Sequence, residues 1–300
     1  METTTTKSYD IAFIGHYTKD TIVSASGIRV VDGGAFNYGA NVAVRMGLKV
    51  AAVTRLAKED FHVVEKLKGL GVDVFAHISP QSTCLRLEYP TSNVDERVIY
   101  VTSSAGPFTP AEVEKIQARA IVVGASMRDE VSLQVIEELS KRKTILSADV
   151  QSFIRVNDNG KLVPKEWPER NDIFACLYIL KTDAIEAGLL FGECDLYTAA
   201  QKMHDLGPKE VIITHREGLL VFADDKFYEE KFFPKEIIGR SGRGDTCIAS
   251  YTAKRLSASP QEATTWAAAV TSLKMEAEGP FQQTIQEVNN LIYNKYKNTN

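Results

Sequence analysis

Ile238-Gly239-Arg240-Ser241-Gly242-Arg243-Gly244-Asp245-Thr246-Cys247 sets three glycines and two arginines directly before one carboxylate. Ile248, Ala249, Thr252, Ala253 and Leu256 follow at helical spacing, which predicts a helix beginning near Asp245 or Thr246. Glycines let successive N–H groups turn toward one point, and a helix start adds unpaired N–H groups and a partial positive charge. Together these make a cradle for an anion. A carboxylate is out of place there unless it takes the proton from a hydroxyl attacking a bound phosphate. The plainer reading is a glycine-rich loop with Asp245 as N-cap.

Upstream of this loop, apolar runs and amphipathic segments alternate. Residues 9–15 read as a buried first strand, with His16, Tyr17 and Asp20 just beyond its carboxyl end. Parallel sheets bind ligands at that end, and Asp20 is either a holder of substrate hydroxyls or a solvated aspartate. Residues 21–31 read as a strand or hairpin outside the main sheet, and Asp32-Gly33-Gly34 breaks the chain before a small-residue helix at 35–47. Gly33 and Gly34 form either a turn or a hinge where backbone meets ligand. The alternating runs 84–89 and 97–101, around a turn with Pro90, Ser92, Asn93 and Asp95, predict a second hairpin suited to a lid.

Strands are then expected at 120–124, 144–149, 177–181, 211–214 and 219–223, with helices at 131–141, from 182, and at 195–206. Asp149, Gln151 and Arg155 stand at one strand's carboxyl end. Residues 161–169, polar and proline-containing, read as a surface excursion. Ser259-Pro260-Gln261-Glu262 is a capping-box pattern opening a helix to about Met275. This rhythm predicts one mostly parallel sheet with helices on both faces.

Three hundred residues suit one large α/β domain. A formal net charge of −4 without a Lys/Arg block points away from nucleic-acid and anionic-membrane partners. Cys84, Cys176, Cys194 and Cys247 form no C-x-x-C pair and read as reduced thiols of a cytoplasmic protein. No apolar run is long enough to span a bilayer, and residues 1–8 lack an apolar signal core.

In order over nearly the whole chain, these features resemble the ribokinase-like (PfkB) carbohydrate kinases. The resemblance implies a three-layer α/β/α fold with a mostly parallel central sheet and a small β lid. Residues 1–8, polar and threonine-rich, are expected as a flexible tail, and the resemblance implies a kinase domain at 9–300, with lid segments at about 16–34 and 84–103. Gly33-Gly34 and Asp20 fall where the family holds its acceptor, and Gly242-Arg243-Gly244-Asp245 where its loop carries the catalytic base. Lys181, Asp183 and Glu186 match a lysine-x-asparagine-x-x-glutamate element near the phosphates and magnesium.

The departures are specific. Tyr38 and Asp183 replace asparagines, Gly239-Arg240-Ser241 replaces Asp-Thr-Thr, and Arg243 replaces alanine. After Thr214, His215-Arg216-Glu217-Gly218 stands where the family has a glycine directly. They set the chain apart from ribokinases and fructokinases but leave base and cradle in place. Gly15-His16-Tyr17 with Asp20, and Asp149-Val150-Gln151 with Arg155, resemble the branch containing myo-inositol kinases, which implies a polyol or cyclitol acceptor.

The chemistry so implied is transfer of the ATP γ-phosphate, with Mg2+, to a sugar or polyol hydroxyl. Asp245 takes the proton, with a pKa that a helix start should depress. The N–H groups of Gly242, Arg243 and Gly244 hold the developing charge. Arg243 either reaches the phosphates or makes a surface ion pair. Asp20, Gly33, Gly34, Tyr38, Gln151 and Arg155 are the candidate acceptor-binding residues. Lys181, Asp183, Thr214, Gly218 and Ala268 are the candidate nucleotide-binding residues. Glu186, with Asp183, either orients magnesium through water or is a helix-start acid. Ala267, Ala268 and Ala269 either leave room for adenine or serve close helix packing.

Two rival functions stand beside this. One is a nucleoside kinase of the same fold, with Phe36, Tyr38 or Phe153 stacking on the base. The other is a ligand-binding sensor that has lost catalysis. A nicotinamide-dependent oxidoreductase is disfavoured, because Gly242-x-Gly244 lacks a third glycine and lies far from the first strand. An exposed lid sheet favours a homodimer that buries it.

Overall fold

Alternation along the strands decides the layers. Ala12 and Ile14 of the first strand pack with Val135, Ile136, Phe174 and Ala199 on one side. Ile11 and Phe13 pack with Ala40, Ala43, Val63 and Ile248 on the other. A strand covered on both faces reads as a continuous apolar run, which is why residues 9–15 show no polar alternation. The computed structural model describes residues 7–25, 27–91, 97–192 and 194–296. Most of the expected 1–8 tail and the turn holding Ser92, Asn93 and Asp95 lie outside them, and the first strand already begins at Ser8.

Among the described residues the main sheet has nine strands. Their order across it is Lys226–Lys231, Gly218–Ala223, Glu210–Thr214, Ile179–Asp183, Ile145–Asp149, Gln117–Val123, Ser8–Ile14, Val50–Leu56 and Asp73–Ile78. The first two form an antiparallel hairpin at one edge, and the other seven run parallel. The fold is ribokinase-like: a large, mostly parallel sheet between two helical layers. The chain leaves Ser8–Ile14 toward one edge, then returns to Gln117–Val123 and builds the other. Open parallel sheets bind ligands at such a reversal, beyond the strands' carboxyl ends.

A second, six-stranded sheet has the order Arg155–Asp158, Lys161–Pro164, Val98–Ser103, Thr83–Glu88, Thr18–Ser24 and Gly27–Gly33. Residues 161–164, expected within a surface excursion, are thus a strand. Asn159 (φ 51°) and Gly160 (φ 88°) make the tight turn before it, and the Gly160 N–H donates to Asn157 Oδ1 at 2.9 Å. Trp167 is buried and stacks on Phe153 at 4.7 Å. Its partners come from elsewhere in the chain, so local polarity concealed them.

Capping chemistry behaves locally. Ser259 and Glu262 close their capping box on the helix Pro260–Met275, and Asp183 and Glu186 do so on Ala184–Phe191. No helix among the described residues is long and apolar enough to cross a membrane.

Candidate active site

At the reversal point, three backbone segments approach more closely than side chains would permit. A Cβ on Gly15 would collide with the Gly124 carbonyl, and one on Gly124 with the Ala35 side chain. The amino end of the helix Ala35–Arg45 therefore sits directly over the ends of the two central strands. Its N-cap, Gly34, has φ 99°, a conformation that side-chain-bearing residues rarely adopt.

Against this wall lies the helix Arg243–Arg255. It starts two residues before the expected boundary, because the first turn faces a cavity and carries no apolar period. Its N-cap is Gly242, at φ 74°, where a Cβ would collide with the Tyr38 ring. Asp245 is therefore the third helical residue and not the N-cap of the plainer reading. The Arg243 amide donates to the Arg240 carbonyl at 3.1 Å, which removes it from the expected anion cradle. Among the described residues, the amides of Gly242, Gly244 and Asp245 have no such partner.

A cavity of about 680 Å³ opens between the two sheets. Asp245, Gly242, Arg243, Gly244, Asp20, Gly34, Tyr38, Gln151, Arg155, Lys181, Asp183, Thr214 and Glu186 all line it. The half-buried Asp245 reverses the expectation of a depressed pKa. Burial raises it, and the charges of Lys181, Arg155, Lys274 and Arg97 pull it only part of the way back. Desolvation of the whole carboxylate outweighs the helix dipole.

Beneath the loop, Lys181 Nζ donates to Asp149 Oδ2 at 2.7 Å, with both side chains buried. Burial works against the ammonium, but Asp149, Glu186 and Asp183 outweigh it and hold its pKa above the ordinary lysine value. A Cβ on Gly244 would stand 2.6 Å from that ammonium, so glycine lets the charge come up under the loop backbone. Arg155 donates to Glu186 Oε1 at 3.2 Å. The guanidinium expected on the acceptor thus also tethers the acid expected near magnesium.

Asp20 is 6% exposed, and its Oδ1 has no hydrogen-bond partner. Burial, and secondarily the charge of Asp245, lift its pKa to about 7 against a Thr18 hydrogen bond. Because the folded pKa lies above the unfolded one, folding favours the protonated form. That stability is complete below about pH 4 and is lost as pH rises through about 7. Asp20→Asn is therefore expected to gain roughly 1–4 kcal/mol over wild type at pH 8 and little at pH 4. Urea unfolding at the two pH values checks this. The same variant should raise the acceptor KM about 10–100-fold, the loss of hydrogen bonds to an ionised group.

Three expected site residues lie off the cavity. Gly33 packs on the side chains of Thr18 and Asp20, so it supports the carboxylate. Gly218 sits in the edge hairpin, where a Cβ would collide with the Glu230 carbonyl. Ala268 is 0% exposed, sealed among Ile212, Val221 and Tyr251, so helix packing and not adenine explains it. Phe36 and Phe153 are likewise core residues, which leaves Tyr38 alone of the three aromatics at the cavity. Sequence reading missed Gly124, whose position just after a central strand was its one signal. It also missed Ser126 and Arg97, which line the cavity from distant segments.

No three His, Cys, Asp or Glu side chains among the described residues converge as a metal cluster. Glu186 nonetheless fits magnesium, which keeps most of its water and leans on one or two carboxylates plus phosphate. Burial, with Asp149 and Asp183 nearby, raises its pKa against Arg155 and Lys181, so a further cation would be welcome there.

Residues 7–285 match the description pfkB family carbohydrate kinase. A cytidine kinase of Thermococcus kodakarensis is 28% identical over 259 residues, covering 81% of this chain and 87% of that protein. A pyrophosphate-dependent kinase in the ribokinase family, solved with a pyrophosphate analog and myo-inositol, superposes with TM-score 0.86. It is 32% identical, over 93% of this chain and 99% of that one. Arabidopsis thaliana ribokinase, complexed with ribose and ATP, has TM-score 0.76 and 18% identity over 95% and 99% of the chains, a likeness of fold.

Proposed function

Because the chain belongs to the pfkB family of carbohydrate kinases, phosphotransferases that act on hydroxyl groups, we propose that it phosphorylates myo-inositol or a similar cyclitol, with inorganic pyrophosphate as donor. The observation that carries this reading is the meeting of Asp245, the open amides of Gly242 and Gly244, and the buried Asp20 carboxylate around one cavity. A polyol suits the unsatisfied Asp20 oxygen, which accepts hydroxyl hydrogens. For the donor, Arg216, Arg240 and Arg243 line the cavity beside the loop, while Ala268 is sealed from it. Guanidinium forks match phosphate oxygens, and a donor without a base needs no adenine slot.

In this mechanism Asp20 fixes the acceptor hydroxyls and Asp245 accepts the proton of the attacking one. The loop amides and the Lys181 charge beneath Gly244 stabilise the transferred group's oxygens. Magnesium, held by Glu186 and Asp183 through water, would neutralise donor phosphate charge. ATP is the second reading, favoured by Lys181, Asp183 and Thr214, which line the cavity where the resemblance places nucleotide phosphates.

A phosphorylation screen tests both. Myo-inositol, hexoses and cytidine are each offered with pyrophosphate or ATP, plus Mg2+. The expected result is greatest turnover with myo-inositol and pyrophosphate. Faster transfer to cytidine than to any polyol would replace this reading with a nucleoside kinase. Donor binding without transfer anywhere in the screen would favour a sensor.

A further inference from the structure

The helix Pro260–Met275 buries a lysine in its last turn, behind the catalytic loop. Lys274 is 1% exposed, and no carboxylate of the described residues lies within ion-pairing distance. Its Nζ donates to the Gly239 carbonyl at 2.9 Å and stands 5.6 Å from the centre of the Tyr38 ring. Burial lowers its pKa to about 8, against the charges of Glu278 and Asp245. It is therefore mostly charged at neutral pH. A buried ammonium without a carboxylate is expensive, and an apolar side chain would fill the same space. The helix's carboxyl-terminal carbonyls favour a cation but do not require one.

What the ammonium touches is the strap that delivers the loop. The amides of Ile238 and Gly239 donate to the Met275 carbonyl at 2.9 and 3.1 Å, and Lys274 returns a bond to Gly239. The strap is thus fastened to the helix end from both partners. Three residues on, Gly242 packs against Tyr38 and the first turn of the catalytic helix begins. Asp245 lies close enough to feel the Lys274 charge.

Resting on the reading of this loop as the transfer site, we propose that Lys274 is a positioning residue for phosphoryl transfer. Its ammonium holds residues 239–242 so that the loop amides stay open to an anion, and it adds fixed positive charge behind them.

Lys274→Met keeps the length and removes the charge. Sulfate, fully ionised across the working range, serves as the anion probe by calorimetry, beside steady-state kinetics. Sulfate is expected to bind the variant about tenfold more weakly, the effect of one nearby charge of partly screened strength. Turnover should fall by a similar factor, with acceptor KM within threefold. The unfolding midpoint should stay at or above wild type, because apolar replacement of a buried charge is neutral or stabilising. Sulfate affinity within threefold of wild type overturns the proposal, as does wild-type protein that binds no sulfate. If wild type binds sulfate yet phosphorylates nothing, the proposed function fails while the affinity ratio still decides Lys274. Should the variant not fold, sulfate affinity between pH 7 and 9 decides instead, measured on Asp20→Asn so that Asp20, which lines the same cavity with a pKa of about 7, adds no charge change. Asp245, Glu278 and Tyr38 face the ammonium, and burial holds the Tyr38 hydroxyl protonated over this range. Weakening upholds the role and constancy overturns it.

Discussion

Asp245→Asn should turn over the best acceptor about 10²–10⁴-fold more slowly than wild type, the usual worth of a positioned general base. Asparagine keeps the shape and the place in the first helical turn, so loop geometry survives. What is lost is the proton acceptor. The size of the loss depends on which influence sets the carboxylate's basicity. A helix start would depress the pKa and make removal nearly harmless, because loose phosphoryl transfer leans chiefly on positioning. Burial wins here and raises the pKa, so Asp245 is a better base than its helix position alone would allow. Wild-type turnover should then fall as acid titrates this raised group, and the variant should lack that contribution to the acid limb. Steady-state kcat across pH 5–8 measures both. Turnover within threefold of wild type would remove Asp245 from its role.

The largest stability effect is expected at Lys181. Lys181→Met leaves Asp149 buried and uncompensated, and breaking such a pair costs about 3–5 kcal/mol. Urea unfolding should show a lower midpoint. Adding Asp149→Leu should restore most of the loss, since apolar residues of similar size replace buried ion pairs with little penalty. Phosphoryl transfer should stay impaired in the double variant, because the charge beneath Gly244 is still absent. A single variant within 1 kcal/mol of wild type, on the scale of a weak surface pair, would mean that the pair does not carry stability. A double variant with wild-type turnover would place Lys181 outside the transfer chemistry.

The legibility of these features followed the range of the interactions behind them. The capping box at Ser259 is closed by a residue three positions away and was readable, whereas at Asp183 only the helix opening was read and the box itself was not. The Arg155–Asp158 and Lys161–Pro164 hairpin was missed because short polar strands gain their place from Tyr100 in the neighbouring strand. Ala268 resembled room for a ligand, but small residues serve close packing equally well, and only its neighbours distinguish the two.

By itself, the sequence determined the period of each long element, the glycine loop before Asp245 and the wound α/β order, since these rest on contacts within a few residues. Tertiary structure alone decided the buried Lys181–Asp149 pair, the Lys274 bond to Gly239, the raised pKa values of Asp245 and Asp20, and which glycines touch the cavity. Desolvation and cross-chain contact depend on segments far apart in sequence, and no local pattern records how they meet.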